Sequence, residues 1–338
     1  MRWLVNESER RFQLNLKSYS SIFVNHSSNE QSMVGSIIQY FQPRSKVKDI
    51  VNVLDIDNDY EDITSHAYYA HMFSNDLLLQ ETQLGAKTVL KSTIKHRLGN
   101  HMETDGYLLT INTLIEDIMK RTVSDLPLQL KRLNIDSLIK LFNIDLTETD
   151  IREKGYTNYY LYQAQRLLEV LVNQLLENHQ KPIMLIYNFP ESYLSPKEQL
   201  EMKKILTELG NSIEVLVVTK SLIFLANDLG GSNYFINENQ LITESLLDDL
   251  EWNCPVDYER EEIKASLLNL FKQFANYFEL KPTISNYQIA EVNLFNSLDL
   301  YVLVYVLDQM DFDFVLDLEE EKVAKPVLEY VKYITGEL

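Results

Sequence analysis

Residues 183–218 read IMLIYNFPESYLSPKEQLEMKKILTELGNSIEVLVV and predict a strand, a helix and a second strand. The strands at 183–189 and 213–218 are almost continuously apolar, which is typical of strands buried on both faces. Between them, Ser195-Pro196-Lys197-Glu198 forms a capping box with proline at the first helical position, and Gly210 marks the end of the helix. This order predicts a parallel βαβ unit within a buried sheet.

Further elements are predicted on both sides of this unit. Strands are expected at 12–16, 21–25 and 50–56, and helices after Ser27-Ser28-Asn29 and at 84–98, 107–121, 156–180 and 261–279. Residues 298–309 are apolar enough for either a buried helix or a strand. The pattern divides the chain into an α/β head (1–99 and 182–235), a helical leg (100–181) and an acidic, mainly α-helical extension (236–338).

Two of the predicted helices carry apolar seams with coiled-coil-like spacing. The seam of helix 156–180 consists of Leu161, Ala164, Leu168, Leu171 and Leu175, and that of helix 107–121 of Leu108, Ile111, Ile115 and Ile118. Two such seams favour a pair of helices that projects from a compact body. Packing of both helices on a sheet is the alternative.

The composition limits the class of protein. With 338 residues, of which 45% are hydrophobic and 24% charged, the chain is expected to form about two folded domains. The single cysteine, Cys254, excludes an intramolecular disulfide, and the start of the chain shows no apolar signal segment, so we expect a cytoplasmic protein. The apolar run at 300–307 is too short for a membrane span, which needs about 20 residues.

The net charge of −19 is unevenly distributed along the chain. Residues 1–200 contain 21 Lys and Arg against 25 Asp and Glu, whereas residues 201–338 contain 10 against 25. The total charge by itself argues against nucleic acid as a partner. The nearly neutral first part can nevertheless present a local basic surface.

A row of lysines is the first candidate for such a surface. Lys87, Lys91 and Lys95 are spaced four residues apart along the predicted helix 84–98, and Arg97 lies close to them. Side chains one helical turn apart are separated by about 6 Å, which is close to the spacing of backbone phosphates. The alternative is that the lysines extend over the apolar face of the helix and keep their charges in water.

Further cations follow in the leg, at Lys120, Arg121, Lys131, Arg132 and Lys140, and Arg44, Lys46 and Lys48 form a basic loop. Glu116 and Asp117 precede the first pair by four residues, so helical salt bridges are the alternative there. Lys131 and Arg132 have no such neighbour in sequence. Because aromatic residues are not interleaved with these cations, the expected ligand is double-stranded DNA, bound through its phosphates without reading the bases.

The sequence lacks the residues of a catalytic site. A phosphate loop is expected after the second strand, but residues 25–32 contain neither glycine nor lysine. Asn188 stands where a nucleotide hydrolase often has a magnesium-binding aspartate, with Glu191 three residues on. Asp55, Asp57, Asp59, Glu61 and Asp62 resemble a calcium loop but lack its glycine and final glutamate. We therefore expect no enzyme; a degenerate P-loop nucleotide hydrolase or nuclease is the alternative.

Residues 161–220 resemble the Csn family of CRISPR-associated proteins of type II-A systems. The resemblance is carried by LYQAQRLLEVLVNQLLENHQ, KPIMLIYNFPESYLSPKEQLEMKKILTELG and SIEVLVVTK, in that order. Residues 12–41 are similar to the family's amino-terminal strand-strand-helix, and DSLIKLFNIDL at 136–146 to a segment of its leg. The extension beyond residue 235 resembles that of the long streptococcal members.

This resemblance implies a fold and a function. Family members have an α/β head with a degenerate P-loop, similar to ATP-binding-cassette ATPases, and a helical leg. They form homotetrameric rings that thread the ends of double-stranded DNA through a basic pore. They act in spacer acquisition, the adaptation step of antiviral defence, with the CRISPR integrase pair and the RNA-guided nuclease. A scaffold that binds these proteins without DNA is the alternative.

The resemblance does not decide whether this protein binds calcium. Short family members bind Ca²⁺ through acidic leg residues, and Lys131 and Arg132 stand at some of those positions. Either the ion is lost, or Asp125, Asp136, Asp145 and Glu148 form a shifted site, or the two cations replace the charge of the ion.

Overall fold

The computed structural model describes residues 1–7, 10–24, 29–42, 50–122, 129–144, 146, 158–236 and 239–336. The chain divides into two compact units: residues 1–72 with 181–338 form the first, and residues 73–180 the second. The second unit thus begins well before residue 100, where the sequence placed the start of the leg. The reason is that the helices between residues 75 and 100 contact the long helix 159–178.

Strands and helices are numbered along the chain. The strands are β1 Arg2–Glu7, β2 Arg10–Asn15, β3 Tyr19–Phe23, β4 Val51–Asp55, β5 Glu61–Asp62, β6 Tyr69–Phe73, β7 Ile183–Asn188, β8 Glu214–Thr219, β9 Ser232–Ile236, β10 Asn239–Gln240, β11 Thr283–Ser285, β12 Val292–Asn293 and β13 Val315–Asp317. The helices are α1 Asn29–Phe41, α2 Asn75–Thr82, α3 Val89–Asn100, α4 Thr104–Thr122, α5 Ile135–Ile139, α6 Tyr159–Asn178, α7 Pro196–Leu209, α8 Glu244–Trp252, α9 Arg260–Phe274, α10 Ser297–Gln309 and α11 Lys325–Thr335. In the described part of the chain, no helix is long and apolar enough to cross a membrane.

The larger sheet of the first unit has the strand order β10-β9-β3-β8-β7-β6. Strands β9, β3, β8 and β7 run parallel, and β10 is antiparallel to β9. The predicted βαβ unit is confirmed: β7 and β8 are parallel neighbours joined by α7. The Ser195 hydroxyl accepts from the Glu198 N–H, and the Glu198 carboxylate accepts from the Ser195 N–H, so both halves of the capping box are present.

A second, antiparallel sheet packs in the same unit, with the order β2-β1-β4-β5. Its apolar side chains share one core with α1 and with one face of the parallel sheet, as shown by Trp3, Phe41, Ile22 and Ile186. Because successive side chains of a strand point to opposite faces, Phe23, the neighbour of Ile22, lies in a different core.

That other core joins the parallel sheet to the extension. Phe23 stacks on Tyr234 of β9, and Tyr234 in turn contacts Phe271 of α9. The centre is α10, in which every residue from Leu300 to Leu307 is buried, so the apolar run at 298–309 is a buried helix. The extension also contains a small parallel sheet with the order β12-β11-β13.

The second unit is helical. The predicted seam of α6 is confirmed as a buried face, and it lies in a helix that contacts α2 and α3. The seam predicted for α4 is wrong in part: Leu108 is buried, but Ile118 is 64% exposed. Asn112 is a buried polar residue of this helix; its carboxamide accepts from the Leu133 N–H at 2.7 Å and donates to the Leu133 carbonyl at 3.0 Å.

Candidate nucleic-acid interface

The predicted lysine row is interrupted because α3 begins at Val89 rather than at residue 84. The Thr88 hydroxyl caps the helix by accepting from the Lys91 N–H. The buried carboxylate of Glu81 accepts from the N–H groups of Val89 and Leu90 at 2.8 and 3.0 Å. Burial raises the pKa of Glu81. Lys87 is therefore exposed in the turn before the helix and is not on the same helical face as Lys91 and Lys95.

Lys91 and Lys95 lie one turn apart on α3, where Lys91 is half-buried and Lys95 is exposed. The Lys95 Nζ lies 2.8 Å from Oδ2 of Asp136, a residue in the first turn of α5. Lys140, at the end of α5, is also exposed. The hydrogen bond from Lys95, with the charges of Lys95, Lys91 and Lys140, holds the pKa of Asp136 below its ordinary value. The structure thus gathers three of the predicted cations around one carboxylate.

The remaining candidate cations are exposed along the same unit. Arg97 donates to Gln174 and lies 3.3 Å from the Glu177 carboxylate on α6. Lys120 lies 3.9 Å from Asp117, an acid three residues before it and not the one four residues before it that the sequence suggested, whereas Arg132 lies 4.0 Å from Glu116 on α4. Arg121 and Lys131 are exposed. Ion pairs between such exposed groups are weak, so these cations can exchange their acidic neighbours for phosphates.

The local charge of this segment differs from that of the whole chain. Residues 87–140 contain nine Lys and Arg, all of them candidates, against six Asp and Glu, which gives a net charge of +3 within a chain of net charge −19. The second unit as a whole has twelve Lys and Arg and fourteen Asp and Glu, whereas the first unit has nineteen and thirty-six. The acidic excess therefore belongs almost entirely to the first unit.

Of the four calcium candidates, Asp136 lies in the described part of the chain, and Asp125, Asp145 and Glu148 lie outside it. The Asp136 carboxylate, which a shifted calcium site would need, is paired with the Lys95 ammonium. Within the described residues, no group of three His, Cys, Asp or Glu side chains could hold a metal. The basic loop at Arg44, Lys46 and Lys48 also lies outside the described residues.

The carboxyl edge of the parallel sheet is held together by Glu191. Its carboxylate accepts from the Thr219 hydroxyl at 2.9 Å and from the Lys220 N–H at 2.7 Å. Two residues in the same loop, Phe189 and Tyr193, adopt left-handed conformations with φ of 49° and 67°. Glu191 is the acid nearest to the position where a nucleotide hydrolase has its metal-binding aspartate. Both of its carboxylate oxygens are thus used to link the loop after β7 to the end of β8.

Comparison with known proteins supports the fold. No protein-family model matches the sequence, and the curated proteins give no match to it. Among solved structures, the crystal structure of Stu0660 of Streptococcus thermophilus is similar, with a TM-score of 0.57 and 16% identity over 94% of this chain and 96% of that one. The chain therefore has the fold of a streptococcal protein over nearly the full length of both.

Two ATPase domains are more distant structural neighbours. The SMC head domain from Thermotoga maritima has a TM-score of 0.35 and 9% identity, over 71% of this chain and 96% of that one. The ATP-binding cassette MJ1267 of an ABC transporter, in its ADP conformation, has a TM-score of 0.34 and 11% identity, over 71% and 90%.

The sequence alone does not reveal the ion-pair partner of Asp136, because Lys95 is 41 residues away. The available signal was its place four residues before Lys140, a spacing that brings two side chains together on a helix. The cap that Glu81 provides for α3 also joins residues eight and nine positions apart, outside the usual capping patterns.

Proposed function

We propose that this protein is a non-catalytic, sequence-independent double-stranded DNA-binding protein of the Csn family, acting in CRISPR spacer acquisition. The observation that carries the proposal is the net positive segment 87–140, whose described cations, apart from the half-buried Lys91, are exposed in a chain that is otherwise acidic. A group of exposed Lys and Arg side chains creates the positive potential that is typical of a phosphate-binding surface.

Family membership is supported by the resemblance of residues 161–220 and by the fold shared with a streptococcal protein along nearly the whole chain. On this basis four copies form a ring around the duplex, with the cations of 87–140 facing the pore. The integrase pair and the RNA-guided nuclease of the same system are the protein partners. A basic pore in an acidic molecule restricts DNA to one path, because the remaining surface repels phosphates.

The absence of catalysis is part of the proposal. Its support is the position of Glu191, whose two carboxylate oxygens are bound by Thr219 and Lys220, and of Asn188 in place of a metal-binding acid. A degenerate hydrolase or nuclease stays the rival; nucleotide or DNA turnover that is lost in Glu191→Gln would favour it.

The binding test reverses three charges. Changing Lys87, Lys95 and Lys140 together to Glu is expected to abolish binding of a linear duplex, because attraction to phosphates becomes repulsion. The control changes the exposed Lys197, Lys204 and Lys325 of the first unit to Glu, which alters the net charge equally and should leave most of the affinity. Binding isotherms against salt concentration measure both, and circular dichroism verifies folding.

Two results would contradict the proposal. If both triple variants lose affinity equally, the segment 87–140 is not the binding surface. If the wild-type protein binds no duplex but co-elutes with the integrase pair or the nuclease, it is the protein-only scaffold.

A further inference from the structure

The cluster around Asp136 has the composition of a phosphate site that is already occupied. Three ammonium groups, those of Lys91, Lys95 and Lys140, act on one carboxylate, and the closest contact is 2.8 Å from Lys95 Nζ to Asp136 Oδ2. Both side chains of this pair are about half exposed, at 53% and 52%. Three positive charges and one negative charge leave a net +2, which attracts an anion and not a metal ion.

The carboxylate is held in this position by the backbone of α5 and not by the lysines alone. The Asn134 side chain caps α5 by accepting from the Ser137 N–H at 2.9 Å, which places Asp136 in the first turn. The preceding residue, Leu133, is fixed to α4 by the two hydrogen bonds of Asn112. On the inner side of α5, Ile139 is buried.

We propose that Asp136 is a built-in counterion that occupies a phosphodiester site formed by Lys91, Lys95 and Lys140. This inference rests on the proposed function. On binding, a DNA phosphate displaces the carboxylate from the Lys95 ammonium, and the exchange is easy because an exposed ion pair is weak. Because Asp136 competes with phosphates for the lysines, the free protein has a moderate affinity for polyanions, and Asp136 sets that affinity.

A consequence for salt dependence follows from counterion release. Each cation that a phosphate newly neutralises adds about 0.9 to the slope of log K against log salt. In the wild-type protein Lys95 is already neutralised by Asp136 and adds little. In Asp136→Asn the Lys95 ammonium is free, so the slope should steepen by about one, and affinity at 0.1 M salt should rise roughly fivefold to tenfold.

The experiment measures binding of a linear duplex to the full chain across a salt series. Four proteins are compared: wild type, Asp136→Asn, Asp136→Asn with Lys95→Gln, and Asp105→Asn. Asp105 is an exposed acid in the first turn of α4, so its variant controls for the change in net charge. The proposal predicts tighter binding and a steeper slope for Asp136→Asn, loss of that gain in the double variant, and less than about a twofold change for Asp105→Asn.

Each other outcome overturns the inference. Unchanged or weaker binding by correctly folded Asp136→Asn, or an equal gain in Asp105→Asn, shows that Asp136 is not a competing counterion, while duplex binding itself stands. Thermal stabilisation of Asp136→Asn by inorganic phosphate without a gain in duplex affinity assigns the cluster to free phosphate. Failure of the wild-type protein to bind duplex overturns the proposed function, and this inference with it.

Discussion

Glu214, at the start of β8, shows how one residue ties stability to pH. Burial raises the pKa of this carboxyl from its ordinary 4.5 to about 7, against a hydrogen bond with Tyr68 that lowers it. Its Oε2 is buried and has no hydrogen-bond partner within the described residues. An acid in such a place favours the neutral form in the folded state.

The first prediction is that Glu214→Gln removes a pH dependence of stability. For an acid whose pKa is raised by folding, the stabilising contribution is complete below pH 4.5 and is lost as the pH rises through 7. Above that pH the variant should be more stable than wild type by up to about 3 kcal/mol, and below pH 4.5 nearly equal. Urea unfolding from pH 4 to 8 measures this.

The exposed Glu201, on α7, supplies the control for that series. Glu201→Gln should unfold with the pH profile of wild type. If Glu214→Gln keeps the wild-type decline between pH 4.5 and 7, the buried carboxyl is not its source.

The sequence identifies the charged residues but not the residues with which they form ion pairs. Lys131 and Arg132 have no acid close in sequence, yet Glu116 lies 4.0 Å from Arg132 because α4 and the segment before α5 meet. Lys95 and Asp136 are brought together in the same way. The candidate cations could therefore be named from the sequence, whereas their counterions required the fold.

Among the elements, those with local signals are the ones that the sequence predicts. The strands β7 and β8 are apolar along their whole length, and α7 is bounded by the Ser195 capping box and Gly210, so each boundary is encoded within a few residues. Their parallel pairing then follows from the right-handed crossover.

Elements that depend on distant contacts are missed. β1, with the sequence RWLVNE, has charged residues near both ends, and its strand conformation comes from pairing with β2 on one side and β4 on the other. The start of α3 is displaced to Val89 because the Glu81 carboxylate and the Thr88 hydroxyl cap it there. Neither cap can be recognised from the apolar periodicity of the sequence, because that periodicity continues from Leu84 through Leu90.

The second prediction concerns the packing of α9 on the parallel sheet. Phe271 is buried, and its ring centroid lies 5.1 Å from that of Tyr234 on β9 and 5.4 Å from that of Phe278. Phe271→Ala should lower the free energy of unfolding by about 3–5 kcal/mol, because it leaves a cavity in the core shared by sheet and extension. Guanidinium unfolding of the full chain measures the loss.

Phe295→Ala is the control with the same substitution, at an exposed position between β12 and α10. The Phe295 side chain is 80% exposed, and its removal should change the unfolding free energy by less than about 0.5 kcal/mol. A loss below about 1 kcal/mol for Phe271→Ala would show that the extension folds without support from the sheet.

On the scale of the whole molecule, the distribution of charge decides how −19 can be compatible with DNA. The first unit carries a net −17 and the second a net −2, and within the second the segment 87–140 carries +3. A protein with this distribution cannot coat DNA with its entire surface. Under the proposed function it binds a duplex where its cations are concentrated, and a ring of four copies would bring four such segments to the same duplex.

The extension belongs to the same folded unit as the sheet and is not an appended tail. Phe23, Leu225 and Tyr234 of the sheet region share their core with Phe271, Phe278 and α10. The sequence assigned residues 236–338 to a separate module from their acidity and helical pattern. Those two features describe the outer surface of the extension, whereas its inner face is an apolar core that the sheet completes.

The proposed ring of four chains, which threads the end of a duplex, can be tested by native mass determination. The protein is measured alone, with a short linear duplex, and with a closed circle of the same sequence, at low salt. We expect a four-chain particle that takes up the linear duplex and leaves the circle free. A particle that binds both forms equally, or one that contains four chains and no DNA under every condition, would contradict it.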